Sequence, residues 1–253
     1  KELAVVADPV FEPTDARLPN HPSTSQGASP APEKTDQTRK LILEKTKASV
    51  EEVGLIDESK EIPRLLGTRR EAESILKLVP KTKAAQAFDF AASRSFFDRP
   101  DLDQFRLLHI ATHGFVNSEH PELSGLIFSM VDQQGNDQNG FLLVPDVFNL
   151  KLNADLVTLS ACQSGLGKEI KGEGMVGLTQ GFLYAGTSRV LVSLWSVSDQ
   201  ATAELMKHFY HSLLVEKLRP AEALRRAQLR LRQNKQWSSP YYWAAFQLTG
   251  EWK

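Results

Sequence analysis

Two residues of this chain carry side chains suited to nucleophilic catalysis, and each follows a short apolar run. His113 follows the run that begins at Leu107 and is itself followed by Gly114, while Cys162, the chain's single cysteine, follows the run that begins at Leu156. A cysteine nucleophile needs a base to form its thiolate, an acid to protonate the leaving amine, and donors for the oxyanion. His113 and Cys162 are therefore the candidate catalytic pair.

These two side chains can meet if the strands that precede them are neighbours. In a parallel sheet the carboxyl ends of adjacent strands lie along one edge, where open α/β folds bind their ligands. Backbone amides can turn inward at such an edge, so the N–H groups of Cys162 and Gly114 are the candidate oxyanion donors. Gly114 suits this role because it has no Cβ and lets a carbonyl approach closely.

From residue 106 onward, predicted strands alternate with predicted helices, which favours an α/β sandwich with a largely parallel sheet. The predicted strands are 3–7, 106–112, 155–160, 190–195 and 241–248, with a hairpin at 125–143 and helices at 173–185, 199–215 and 220–233. Thr68-Arg69-Arg70-Glu71 reads as a capping box that begins a further helix. The chain after Gly114 is predicted to be a loop as far as Pro121.

The segment 12–60 is predicted to be a mobile surface insertion in a single domain that spans residues 1–253. Residues 12–38 are rich in Pro, Ser, Thr, Asp and Gln and have almost no large apolar side chains, and such a composition cannot bury a core. Residues 39–57 contain apolar positions that fit either a short helix or a peripheral hairpin. The chain starts at Lys1 without a methionine, so we expect it to be an excerpt of a longer protein.

The net charge and the cysteine count of the chain indicate which classes of partner and which cellular compartment to expect. Thirty basic residues against 31 acidic ones give a formal net charge of −1, which argues against nucleic acid as a main partner. No apolar run approaches the roughly 18 residues that span a bilayer, so no membrane association is expected. A single cysteine excludes an internal disulfide framework, and with no signal pattern at the start we expect a cytoplasmic location.

Neither a cofactor nor a metal ion is expected. Residues 172–177 formally match a dinucleotide-binding glycine pattern, but those glycines do not follow a strand directly, as that fold requires. His109 and His113 are four residues apart and are predicted to share one face of a strand. A zinc site would need further His or Cys ligands, and the sequence has no cluster that supplies them.

Several motifs together resemble a known family, the CHAT domain, a caspase-like peptidase family related to separase and usually found beside tetratricopeptide repeats. The motifs are Thr112-His113-Gly114, Ser160-Ala161-Cys162-Gln163-Ser164-Gly165, Gly172-Glu173-Gly174 and Leu194-Trp195-Ser196-Val197-Ser198-Asp199. The histidine lies 49 residues before the cysteine, close to the spacing of about 50 in caspases. The resemblance covers residues 3–9 and about 63–250.

The resemblance implies a caspase-like α/β/α sandwich with a mostly parallel central sheet. It implies that Cys162 is the nucleophile, that His113 is the acid–base, and that the amides of Cys162 and Gly114 form the oxyanion hole. It also implies a protein or peptide substrate, and a regulatory repeat region upstream or a partner protein.

Asp199 is the candidate substrate-binding residue. It follows the strand predicted beside the cysteine strand, in a stretch similar to the one that shapes the first specificity pocket of separase. A carboxylate there would favour Arg or Lys at the cleavage site. The alternative is that Asp199 only caps the helix that follows.

Three functions remain open from the sequence. The first is a cysteine endopeptidase that acts through a His/Cys dyad. The second is a non-catalytic interaction or regulatory module with the same caspase-like fold. The third is another cysteine amidohydrolase, such as an amidase or transpeptidase, that uses the same dyad.

Overall fold

The computed structural model describes both strands that lead toward the candidate catalytic pair. The described residues are 1–18, 34–52, 54–56, 61–117, 119–160, 173–195 and 197–251. Within them the strands are β1 (Leu3–Pro9), β2 (Ala84–Asp89), β3 (Leu107–Ala111), β4 (His113–Phe115), β5 (Gly125–Ile127), β6 (Phe141–Leu143), β7 (Leu156–Leu159), β8 (Arg189–Ser193) and β9 (Phe246–Gly250). The helices are α1 (Lys34–Glu52), α2 (Leu66–Leu76), α3 (Val144–Phe148), α4 (Glu173–Tyr184), α5 (Asp199–Leu214), α6 (Pro220–Gln233) and α7 (Pro240–Trp243).

The described strands form a large, mostly parallel sheet and a small antiparallel one. The central sheet has the order β2-β1-β3-β7-β8-β9, in which the first five strands are parallel and β9 runs antiparallel to β8. The small sheet has the order β4-β5-β6. The predicted α/β architecture with a mostly parallel sheet is thus confirmed, and so is the predicted hairpin, which β5 and β6 form.

Apolar side chains cover both faces of the central sheet. On one face Leu107 and Ala111 of β3 pack in a cluster with α2, α5 and α6. On the other face Leu108 and Ile110 pack in a cluster with α3, α4 and the small sheet. Because both faces are buried, the parallel strands read as continuous apolar runs rather than as alternating ones.

The chain crosses from the central sheet to the small sheet at Thr112. β3 ends at Ala111, and the hydroxyl of Thr112 donates a hydrogen bond to the carbonyl of Ile127 in β5. His113 then begins β4, where it lies opposite Ile127. The sequence prediction of a loop after Gly114 is therefore wrong for Phe115, which pairs with Gly125 of the hairpin.

Three other expectations can be compared with the structure. The predicted capping box is wrong: α2 begins earlier, after Leu65, and the Thr68 hydroxyl donates to the Leu65 carbonyl inside the first turn. The predicted last strand begins later than expected, since α7 takes up residues 240–243 before β9. Of the two alternatives for 39–57, the helix is confirmed, as α1.

Candidate functional site

His113 is a buried side chain whose Nε2 atom is held by a backbone carbonyl. The residue is 1% exposed, and its Nε2 lies 2.6 Å from the carbonyl oxygen of Pro63. Its ring also packs against Phe11, with 5.2 Å between ring centroids. Since a carbonyl can only accept, Nε2 must carry the proton of this hydrogen bond. In the neutral ring, Nδ1 is then the basic nitrogen, to which a second proton would add.

Burial sets the charge of His113. It lowers the pKa of the imidazole from 6.5 to about 4, while the hydrogen bond to the Pro63 carbonyl acts in the opposite direction. The ring is therefore neutral at pH 7, which is the state a general base requires. The tautomer set by Pro63 leaves the basic lone pair on Nδ1.

The contact between Pro63 and His113 was not predicted from the sequence. The contact joins two segments 50 positions apart. A backbone carbonyl is present at every residue, so no residue type or spacing could have marked this one as a partner of His113.

Cys162 and its amide lie outside the described residues, but the strand that leads to them is described as far as Ser160. β7 is the direct neighbour of β3, with Leu159 opposite Ile110. The pairing continues one residue further, because the Ser160 N–H donates to the Ile110 carbonyl at 2.8 Å. The expectation that the histidine strand and the cysteine strand are adjacent and parallel is therefore confirmed.

Gly114 lies in β4 with its N–H directed away from the rest of the small sheet. Even-numbered residues of β5 direct their backbone N–H and C=O groups toward β6, as the hydrogen bond from the Phe128 N–H to the Gly140 carbonyl (2.8 Å) shows just beyond the strand. Odd-numbered residues of β5 therefore direct theirs toward β4, where they lie opposite the two neighbours of Gly114. The Gly114 N–H thus points to the outer edge of β4, where a ligand carbonyl could accept from it.

Asp199 lies at the N-terminus of α5, where it contacts the start of α2. Ser198, not Asp199, is the N-cap residue of α5. The Asp199 carboxylate is half-buried and accepts a hydrogen bond from the Gly67 N–H. Burial raises its pKa, the Gly67 hydrogen bond opposes this, and the nearby Glu71 raises it further. Asp199 thus joins two helices, which neither of the alternatives drawn from the sequence had considered.

His109 is separated from His113, although the sequence predicted a shared strand face. Its side chain is buried on the face of β3 that packs against α2 and α5. Its Nε2 lies 2.9 Å from the Glu71 carboxylate of α2, and its Nδ1 lies 3.1 Å from the Tyr210 hydroxyl of α5. That hydroxyl donates in turn to Thr158 of β7 at 3.0 Å. The prediction failed because the chain changes sheets at Thr112, between the two histidines.

The described residues contain no group of three His, Cys, Asp or Glu side chains arranged to hold a metal ion. In the same part of the chain, no helix combines the length and the apolar character needed to cross a membrane.

Comparison with known proteins gives one family match and two curated relatives. The family model described as the CHAT domain matches residues 3–251. Tetratricopeptide repeat protein 28 of Homo sapiens is 32% identical over 162 residues, which are 63% of this chain and 6% of that protein. Its counterpart of the same name from Mus musculus is 36% identical over 109 residues, or 43% of this chain and 4% of that protein. The chain thus spans a small fraction of the length of these relatives.

Proposed function

This chain belongs to the CHAT domain family, whose α/β fold is caspase-like, and on that basis we propose that it is a cysteine endopeptidase acting through His113 and Cys162. The observation that carries the proposal is the pairing of β3 with β7. Because of this pairing, the strands that precede His113 and Cys162 end side by side at one edge of the sheet. The neutral, carbonyl-bound imidazole of His113 supports the same proposal.

In the proposed reaction, Nδ1 of His113 takes the thiol proton of Cys162, and Sγ forms a bond to the scissile carbonyl carbon. The N–H groups of Gly114 and Cys162 stabilise the oxyanion. The C–N bond then breaks, and His113 gives its proton to the leaving amine. A water molecule attacks the thioester, loses one proton to His113 and breaks the C–S bond. That proton returns to sulfur, which restores the thiol.

We propose Asp199 as a substrate-binding carboxylate that favours Arg or Lys at the cleavage site. Asp199→Asn is the most informative change, because the amide oxygen can still accept from the Gly67 N–H while the charge is lost. We expect a peptide library to show a weaker preference for basic residues. Asp155→Asn, before β7 at the opposite end of the sheet, is the control. An unchanged cleavage-site preference in Asp199→Asn would mean that Asp199 does not bind the substrate and only contacts α2.

The proposal includes regulation by a tetratricopeptide repeat region upstream or by a partner protein. Both curated relatives bear tetratricopeptide repeat names, and this chain corresponds to a small part of each.

The family match from residue 3 to residue 251 supports a single domain that contains the segment 12–60. A cytoplasmic location, proposed from the cysteine count, can be tested by fractionation of the natural source.

Two substitutions test the peptidase function directly. Cys162→Ala and His113→Ala are each expected to abolish cleavage of a peptide library while the circular dichroism spectrum stays that of the unmodified chain. A cysteine-directed activity probe should label Cys162 in the unmodified chain and fail to do so after His113→Ala. Undiminished cleavage by either variant would contradict the assignment.

A non-catalytic interaction module is the second candidate, and the almost complete burial of His113 favours it. Under this alternative the probe labels Cys162 with or without His113, and no peptide is cleaved. Simple esters and amides offered in the same assay separate an endopeptidase from an amidase or transpeptidase that uses the same dyad.

A further inference from the structure

Asp8 is a buried carboxylate at the carboxyl end of β1, beside the strand that leads to His113. Its side chain is 0% exposed. The register of β1 and β3 puts Ala7 opposite Ala111, so Asp8 lies at the level where the chain leaves β3. Its φ of +53° is in the left-handed region, which Asp and Asn adopt more readily than most residues. The chain thus places a carboxylate at this edge of the sheet in a costly backbone conformation.

The Asp8 carboxylate holds the side chain of Arg64 by two parallel hydrogen bonds. Nε of Arg64 donates to Oδ1 and Nη2 donates to Oδ2, both at 2.7 Å. Such a fork fixes the plane of the guanidinium as well as its distance, which a single ionic contact does not do. Arg69 adds a third bond, from its Nε to Oδ2 at 3.0 Å.

Arg64 directly follows Pro63, and the two share the peptide unit whose carbonyl binds His113. We infer that Asp8 is a positioning residue: by holding Arg64 it fixes this peptide plane, so that the Pro63 carbonyl sets the tautomer and orientation of His113. The catalytic consequence rests on the proposed function. The orientation of the imidazole is a property of the fold and can be measured without any substrate.

The contacts of Asp8 distinguish this role from that of a substrate-binding carboxylate. Both carboxylate oxygens already accept from Arg64, and Arg17 approaches Oδ1 at 3.2 Å while also donating to the Asp8 carbonyl at 2.9 Å. A basic substrate group would have to displace these guanidinium groups to reach the buried carboxylate of Asp8. The arrangement therefore favours a structural clamp over a pocket for a cation.

A second aspartate completes the clamp from the neighbouring strand. Asp89 ends β2 with a φ of +52°, and its carboxylate binds Arg69 and Arg17, the latter at 2.8 Å. Arg69 and Arg17, which both touch Asp8, are therefore anchored to β2 as well. Arg64 is the exception, because among its contacts in the described residues the bonds to Asp8 are its only side-chain hydrogen bonds.

Two variants and one control isolate the clamp. Asp8→Asn keeps the size of the side chain and its tolerance of the left-handed conformation but removes the charge. Arg64→Gln removes the fork from the partner's side, and since the Arg64 side chain is 37% exposed it leaves no sealed cavity. Asp101→Asn is the matched control, because Asp101 accepts a comparable fork from Arg99 near the amino end of the sheet.

The first readout is the histidine-ring NMR spectrum at pH 7, with the His113 signals identified by their loss in His113→Gln. We expect the unmodified chain and Asp101→Asn to show the Nε2–H tautomer. In Asp8→Asn and Arg64→Gln this signature should be lost or mixed with the other tautomer. The second readout is peptide cleavage, where we expect kcat to fall about 10- to 100-fold in both clamp variants, as misplaced catalytic groups do, with KM nearly unchanged.

Unchanged His113 signals in a folded Arg64→Gln protein would overturn the inference, and this variant decides the question if Asp8→Asn does not fold. An altered cleavage-site preference with unchanged ring signals would also overturn it, in favour of substrate binding by Asp8. An unmodified chain that cleaves no peptide overturns the proposed function alone, because the tautomer in the two clamp variants still decides the positioning role.

Discussion

At the scale of single residues, the burial of His113 links its protonation to folding. The folded protein holds this imidazole at a pKa of about 4, whereas an unfolded chain titrates near 6.5. Between these two values the unfolded state binds more protons than the folded state. The contribution of His113 to stability is therefore fully present above the pKa of the unfolded chain, and it is lost as the pH falls toward the pKa of the folded protein.

We predict that the free energy of unfolding falls by up to about 3 kcal/mol between pH 6.5 and pH 4 on account of His113 alone. His113→Gln removes this titration, so its stability should depend less steeply on pH over that interval. Urea unfolding at pH 7.0, 5.5 and 4.5 measures the difference. His120→Gln is the control, since that side chain is 62% exposed. An equal pH slope in His113→Gln and the unmodified chain would contradict the prediction.

Residue type and spacing marked His113 as a candidate, because a histidine after an apolar run and before a glycine is visible in the chain. They also located Cys162, Gly114 and Asp199 as candidates. They could not show that Asp199 contacts Gly67, since that contact depends on how α2 lies against α5. Nor could they reveal the clamp at Asp8, which joins the end of β1 to Arg64, 56 positions along the chain.

At the scale of elements, α2 and α5 meet at their N-termini, with no space for an added methyl group. A Cβ on Gly67 would lie 2.6 Å from the Cβ of Asp199 and 3.0 Å from its carbonyl oxygen. Since α2 begins three residues after Pro63, a displacement of this helix is transmitted to the segment that holds His113.

We predict that Gly67→Ala lowers the free energy of unfolding by about 1–3 kcal/mol, the usual cost of overpacking, and also lowers activity. Gly177→Ala is a matched control inside α4, because among the described residues its Cβ would meet only the Val144 methyl groups, at 3.7 and 3.9 Å. In that helix interior, alanine should stabilise by up to about 1 kcal/mol. Chemical unfolding of both variants measures the effects, and a stabilised Gly67→Ala would refute the tight contact.

Long elements with a regular apolar pattern were predictable, whereas short ones were not. The helical spacing of Ala223, Leu224, Ala227 and Leu231 indicated α6, and the structure has these residues buried on one face. β4 has three residues and no periodicity of its own. It exists because Thr112 and the register of β5 pair it with the hairpin, and pairing between distant segments leaves no local pattern.

At the scale of the whole molecule, a third apolar cluster joins α1 to the strand that carries His113. Val50 of α1 and Leu55 just after it are buried together with Phe11 and Phe115, and Phe11 also contacts the His113 ring. Composition suggested a segment without a core because the polar residues 12–38 dominate its average. The apolar positions that follow them contribute to the packing around the site.

We predict that Leu55→Ala lowers the free energy of unfolding by about 2–5 kcal/mol, as in other buried leucine truncations. Leu41→Ala is the same change at a position of α1 that is 52% exposed, and it should cost no more than about 0.5 kcal/mol. Equilibrium denaturation compares the two. Equal costs would mean that the packing of Leu55 against the small sheet adds nothing to stability.

The orienting partner of His113 is a main-chain oxygen, and this limits what genetics can detect. Any amino acid at position 63 supplies the same carbonyl, so a scan that replaces one residue at a time would score the position as tolerant as long as the chain keeps its path. Selection can act on this group only through neighbours that shape the backbone, such as Arg64 and Asp8. The contact that position 63 makes with His113 is therefore inherited with the path of the backbone rather than with the identity of one residue.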